Sequence, residues 1–152
     1  MKIRIGIVVS EFNNEITFAM LSEAKRYAKE LSSKITYVCF VPGVFDMPII
    51  VQEILKKNDV DAIVTLGAII KGDTSHDRVI ANSTVKLLSE LSLKYNKPIS
   101  LGITGPDMTF DQAEARIISS SRHAIYTAIT MVKRLKKTRN NKMKSNDTKI
   151  VD

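Results

Sequence analysis

The sequence predicts an α/β fold: a single-domain, three-layer α/β/α sandwich built on a four-stranded parallel sheet. Three observations carry this. Short apolar runs alternate with longer stretches of helical periodicity in the order βαβαβαβα. The apolar runs are nearly continuous rather than alternating, as in strands covered on both faces. Each run ends in glycine, proline or a polar cluster before the next helical stretch begins.

The first strand covers residues 3–9, apolar apart from Arg4 and Gly6, and Ser10-Glu11-Phe12-Asn13-Asn14 breaks it. A helix follows over 15–31, with Ile16, Met20, Ala24, Tyr27, Ala28 and Leu31 on one face and Asn13 or Asn14 as N-cap. The second strand, 36–41, stops at Pro42-Gly43, and Pro48 suits the first turn of the next helix, which carries Ile49, Ile50, Ile54 and Leu55. The third strand, 62–66, passes through Gly67 and Ala68-Ile69-Ile70 into a polar loop, 71–76. The helix after that loop presents Val79, Ile80, Leu87, Leu88 and Leu91 and ends at Tyr95-Asn96-Lys97-Pro98. A fourth strand, 99–103, and a loop, 104–107, precede helical sequence from Thr109 to about residue 137, with a break expected at Ser119-Ser120-Ser121.

With 152 residues the chain suits one domain with a real core. Its hydrophobic and charged fractions, 44% and 26%, are those of an ordinary soluble globule. No apolar run approaches the roughly 18 residues of a membrane span. Met1-Lys2 leads straight into a strand pattern, so no signal peptide is expected and the expected location is cytoplasmic. Cys39 is the single cysteine, which leaves no intrachain disulfide. The net charge of +7 is concentrated in residues 133–152, which hold eight Lys or Arg against two Asp. Residues 1–137 therefore read as the folded domain and 138–152 as a basic, disordered tail. The body carries no nucleic-acid motif, and a nucleic-acid role is disfavoured.

Ligands of parallel sheets bind outside the carboxyl ends of the strands. That rule gathers the loops 10–13, 42–46, 67–76 and 104–107 on one rim. Gly72 either serves a turn or lets the backbone approach a ligand. Thr74, Ser75 and the helix start offer anion donors, Ser75 also being a plausible cap. His76 is a candidate for proton transfer near neutral pH, against the alternative of a solvated surface residue. Phe12 and Phe45 are each either packing anchors or platforms for a flat ring. Asp46 caps the helix at Pro48 or accepts ligand hydroxyls, and Arg116 is either solvated or a phosphate clamp. No Walker loop, dinucleotide fingerprint, zinc spacing or nucleophile elbow occurs, so neither a redox cofactor nor a metal is suggested.

Four segments in one order and spacing carry a resemblance. They are Val9-Ser10-Glu11-Phe12-Asn13, Val41 through Pro48, Asp61 through His76, and Gln112-Ala113-Glu114-Ala115-Arg116. Over about residues 3–137 the chain resembles the 6,7-dimethyl-8-ribityllumazine synthases, its archaeal members above all. The resemblance implies a flavodoxin-like fold and a cofactor-independent condensation in riboflavin biosynthesis. That reaction joins 5-amino-6-(D-ribitylamino)uracil to 3,4-dihydroxy-2-butanone 4-phosphate and releases phosphate and water.

The resemblance also implies residue roles. Phe12 stacks on the pyrimidine, Val44, Phe45 and Asp46 line the ring and ribityl site, and Ala68, Ile69 and Ile70 present backbone groups to the ring. Asp73 and Thr74 lie at the butanone phosphate, Arg116 clamps it, and His76 moves protons. Leu101 stands where many members have an aromatic, and Asp46 where bacterial members usually have Glu. A further basic residue common in the family has Arg122 or His123 as its counterpart here. Members assemble as pentamers whose sites are shared between adjacent subunits, Leu101 and Arg116 coming from the neighbour. No long insertion lies between Arg116 and Ala124, which leaves a shell of twelve pentamers open. Two alternatives stand beside this reading. One is the related archaeal-type riboflavin synthase, which lacks the Gly72–His76 pattern. The other is a non-catalytic flavin- or lumazine-binding protein.

Overall fold

The computed structural model describes residues 2–140, 148 and 150–152. Four strands, β1 (Arg4–Ser10), β2 (Lys34–Val41), β3 (Ala62–Ile70) and β4 (Ile99–Met108), form one parallel sheet in the order β2-β1-β3-β4. The helices are α1 (Asn14–Glu30), α2 (Met47–Leu55), α3 (His76–Tyr95), α4 (Phe110–Ala115) and α5 (Ile117–Asn140), with a 3₁₀ turn over Val44–Asp46. This is the flavodoxin-like α/β/α arrangement that the sequence predicts.

Two apolar cores flank the sheet, and strand periodicity sorts residues between them. Ile5, Ile7 and Val9 of β1 pack with Ala62, Val64 and Leu66 of β3 against α1 and α5. Val8 and Ile63 face the other way, onto Val51, Ile54 and Leu55 of α2 and Ala81 and Leu88 of α3. Gly6 faces this second core, where a Cβ would lie 2.9 Å from Ile54 Cγ2, so its bareness lets α2 sit close.

The strand order places the site. From β1 the chain steps outward to β2, then returns across β1 to β3 on its other side. A crevice opens at such a reversal, beyond the ends of the two central strands. β1 pairs with β3 only as far as Val9 and Leu66, whereas β3 continues to Ile70. The upper part of β3 thus overhangs its neighbour.

Three local features differ from expectation. β4 does not stop at residue 103 but continues to Met108, because the overhanging end of β3 supplies partners: Ala68 pairs with Thr104 and Ile70 with Met108 across a register shift. The final helical stretch breaks at Arg116, not at the three serines. Ser121 is buried within α5 and donates to Ile117 O at 2.6 Å, so its hydroxyl is satisfied inside the helix. Asn13 is the residue at the N-cap of α1, yet its side chain makes no cap bond. Three residues of the segment read as a tail, Thr138 to Asn140, continue α5, and the expectation for 141–147 and 149 lies outside the described residues.

One ion cluster joins α1 to α5. Glu23 accepts from Arg26 of its own helix and from Arg122 Nε at 2.6 Å, and the Arg122 guanidinium lies 5.2 Å from the Tyr27 ring centroid. The hydrogen bonds from Arg26 first, then from Arg122, pull the Glu23 carboxyl down to about 2. A carboxyl depressed on folding adds stability above its unfolded value and loses it as pH falls through the folded one. Glu23→Gln should therefore cost on the order of 1–2 kcal/mol at neutral pH, allowing for solvent screening of the arginines. The gap to wild type should narrow as pH falls from about 4.5 toward about 2. Denaturant midpoints of both proteins at pH 7 and pH 3 check this, and an equal gap at both would contradict it.

Candidate active site

A cavity of about 430 Å³ lies at the crevice, in the size range of small-molecule sites. Three loops build it: the turn after β1, the 3₁₀ turn after β2, and the overhang of β3 with the loop that follows. Phe12, Val44, Phe45, Ala68, Ile69, Ile70, Thr74 and His76 all line it. Phe12 and Phe45 are 71% and 65% exposed, so neither is the buried anchor that would explain an aromatic by packing alone.

The turn after β1 is tied down at every residue. Glu11 N–H donates to Val41 O at 2.8 Å and Phe12 N–H to Pro42 O at 3.0 Å. Thr17 Oγ1 donates to Ser10 O at 2.6 Å. Asn13 sits in the left-handed region, φ 58°, a conformation Asn tolerates. That turns its amide across the crevice to donate to Ala68 O at 2.8 Å. The overhanging end of β3 is thereby held by a side chain where β1 no longer pairs with it. Sequence reading places Asn13 as a cap and misses this tether; its one sequence signal is an Asn where the chain leaves a strand and turns at once into a helix.

The loop after β3 carries the polar groups. Gly72 has no left-handed φ, and a Cβ there would meet nothing within 4 Å. Neither a turn nor packing requires glycine, and its missing side chain leaves open space at the cavity. His76 is exposed and is the first residue of α3 rather than a loop residue, directly after Ser75 at the N-cap. Ser75 makes no side-chain cap bond.

Four predicted residues stand elsewhere. Asp46 does not line the cavity: its Oδ2 accepts from Gly43 N–H at 2.9 Å, which fixes the 3₁₀ turn that presents Val44 and Phe45. Asp73 is exposed between two lining residues and does not line the cavity itself. Leu101 and Arg116 lie in a separate shallow hollow of about 460 Å³ with His123, and the two hollows share no lining residue. Arg116 Nη1 donates to Gln112 O at 3.1 Å, and among the described residues it pairs with no carboxylate. Arg122 instead pairs with Glu23 on the α1 side.

Among the described residues no group of three or more His, Cys, Asp or Glu is placed to hold a metal ion, and no helix is long and apolar enough to cross a membrane. Among the described residues the cavity wall also carries no Lys or Arg side chain. What it offers is an exposed aromatic pair, the unpaired edge of a strand, helix-start N–H groups and one imidazole. That set suits a flat, hydrogen-bonding ring brought to a proton-transfer group.

Comparison with known proteins decides between the readings. The sequence model described as 6,7-dimethyl-8-ribityllumazine synthase matches residues 2–136. The chain belongs to this family. A protein of that name from Metallosphaera sedula is 48% identical over 134 residues, covering 88% of this chain and 89% of its own length. One from Sulfolobus acidocaldarius is 48% identical over 138 residues, 91% and 87% of the two chains. One from Methanocaldococcus jannaschii is 43% identical over 136 residues, 90% and 96%. All four segments that carry the resemblance fall inside the family match.

The Asn13 tether gives a test of how the cavity is held. Asn13→Asp keeps an acceptable backbone but places a carboxylate oxygen against Ala68 O. It should cost the fold about 1–3 kcal/mol, because one hydrogen bond is lost and two acceptors face each other. Denaturant midpoints of the variant and the wild type check this, and equal midpoints would show that the tether does not hold the end of β3.

Proposed function

We propose that this chain performs the reaction of its family, in riboflavin biosynthesis: condensation of 5-amino-6-(D-ribitylamino)uracil with 3,4-dihydroxy-2-butanone 4-phosphate to 6,7-dimethyl-8-ribityllumazine. The observation that carries the reading is that one cavity gathers Phe12, the free edge of β3 and His76, all within the matched segments.

In this reading Phe12 stacks on the pyrimidine, and the backbone of Ala68–Ile70 meets its polar edge, since β1 leaves that edge unpaired beyond Leu66. Val44 and Phe45 bound the ring and ribityl chain, and the Asp46 carboxylate, exposed outside the cavity with Oδ2 held by Gly43 N–H, is assigned to ribityl hydroxyls that extend beyond the cavity. The 5-amino group adds to the ketone and water leaves, giving an imine. A proton then leaves the adjacent carbon as phosphate departs from the next one. The resulting enol takes a proton at its terminal carbon to become a methyl ketone, and the ribityl-bearing nitrogen adds to that carbonyl and closes the ring with loss of a second water. Each stage moves a proton, and His76 at the cavity wall is the group that gives and takes it. Holding both substrates in one orientation supplies much of the remaining rate.

The phosphate of the second substrate supports a site completed by a neighbour. Thr74 and the start of α3 line the cavity with Asp73 exposed beside them, and we assign the anion to this end, yet among the described residues the wall offers it no cationic side chain. Arg116 stands in the other hollow, beside Leu101. Two exposed apolar surfaces accompany the two hollows. Phe45, Ile49 and Leu87 belong to the elements around α2 and α3, and Leu101, Ile118 and Tyr126 to β4 and α5. Unlike patches that join head to tail build a ring where the rotation between subunits closes. We therefore read the assembly as a homopentamer in which Leu101 and Arg116 of one subunit complete the next subunit's site. A closed shell of twelve such rings stays open as its larger form. Residues 138–152 are read as a basic appendage to the catalytic unit, and the cytoplasm as its location.

Incubation of the protein with both substrates should yield lumazine absorbance together with released phosphate. His76→Ala should assemble normally and lose turnover by about 10²–10⁴-fold, the usual worth of a proton-transfer group. Wild-type turnover in an assembled His76→Ala protein would remove this residue from the mechanism, and an inactive wild type would overturn the proposed reaction.

A further inference from the structure

One wall of the cavity holds a carboxylate that the mechanism does not use. Asp77 follows His76 in the first turn of α3 and is 5% exposed. Its Oδ2 accepts from Asp107 N–H at 3.0 Å, a bond from the helix start to the end of β4. That bond first, then backbone N–H groups of the helix start, hold the Asp77 carboxyl below the usual carboxylate range, so it is an ionised and strong acceptor. Asp107 is in the left-handed region, φ 59°, which aims its N–H at Asp77 instead of along the strand ladder.

The loop between β3 and α3 has a second anchor on the same stretch of β4. Lys71 N–H donates to Met108 O at 2.8 Å. The five residues 72–76 are thus held at both ends by Asp107 and Met108. All five are exposed, and among the described hydrogen bonds none involves their side chains. The shape of the loop depends on its two ends. Arg78 also pairs with the Asp107 carboxylate, at 3.0 Å, but that pair is solvent-exposed and screened. Asp77 is the buried half of the latch; Asp107 is exposed, so without this acceptor its N–H turns to solvent and the tie between the helix start and β4 is lost.

We propose that Asp77 is a positioning residue for His76: by holding Asp107 N–H it fixes where α3 begins and so where the imidazole stands over the substrates. The inference rests on the proton-transfer role given to His76 above and adds a residue to it. It concerns the placing of an acceptor atom, so geometry should matter more than charge. Asp77→Asn keeps an oxygen at the same reach; Asp77→Glu keeps the charge and moves the oxygen outward by one methylene.

Steady-state kinetics and calorimetric binding of the pyrimidine test this. Asp77→Asn should keep kcat within about threefold, whereas Asp77→Glu should lose about ten- to hundredfold in kcat, the scale of a misplaced catalytic group. KM and stoichiometry for the pyrimidine should stay near wild type in both. In a His76→Ala background the cost of Asp77→Glu should shrink to less than about twofold, because residues acting as one unit are not additive. A merely structural role would lower activity by the same factor in both backgrounds. That outcome, full turnover in Asp77→Glu, or an Asn variant worse than the Glu variant, overturns the inference. A failure of the proposed reaction is seen separately, in the wild type itself.

Discussion

The site depends on a mismatch in strand length. β3 runs four residues beyond the point where β1 stops pairing with it. A strand buried on both faces leaves its backbone donors and acceptors to find partners, and β4 supplies them on one side only. On the other side the chain provides a single bond, from Asn13 to Ala68 O. What remains of that edge is a row of oriented polar groups in an otherwise apolar crevice. A ring with its own donors and acceptors fits there as a strand would, and two exposed phenylalanines border the same space.

Much of this was legible from the residues. Alternation of apolar runs and helical stretches gave the layers, and the carboxyl-end rule, which depends only on topology, gathered three loops that line the cavity; the fourth, 104–107, is part of β4 and does not line it. Phe12, Val44, Phe45, Thr74 and His76 meet in one cavity, as sequence order and a fold rule alone require. What stayed hidden were contacts between residues distant in sequence. Asn13 looks like a helix cap because Asn often is one, yet a left-handed φ turns its amide elsewhere. Asp77 looks like an acidic residue of a helix start, and only the fold brings Asp107 N–H to it. The serines at 119–121 look like a helix break, but a hydroxyl bonded to the carbonyl four residues back leaves the helix intact. The family resemblance assigns Leu101 and Arg116 to a neighbouring subunit's site, and within one subunit they stand outside the cavity.

Two basic residues at the base of the sheet also acquire a local explanation. Lys97 Nζ donates to Leu55 O at 2.8 Å and to Lys57 O at 2.6 Å, where α2 ends. Arg139 Nη2 reaches Asn96 O, at the end of α3. Helix carboxyl ends carry unpaired carbonyls and partial negative charge, and cations there are stabilising. Part of the positive charge near the base of the sheet therefore serves the fold, at the end opposite the cavity.

The account turns on whether a neighbour's Arg116 completes the cavity that holds His76. Arg116→Ala and His76→Ala subunits, each expected to be nearly inactive alone, can be dissociated, mixed in equal amounts and reassembled. Each shared site draws one residue from each of two adjacent subunits, so random mixing leaves both intact in about one site in four. Lumazine formation by the mixed assemblies should then recover to about that fraction of wild type. Mixed assemblies that remain as inactive as their parents, with subunit exchange verified by mass, would contradict a site built between subunits.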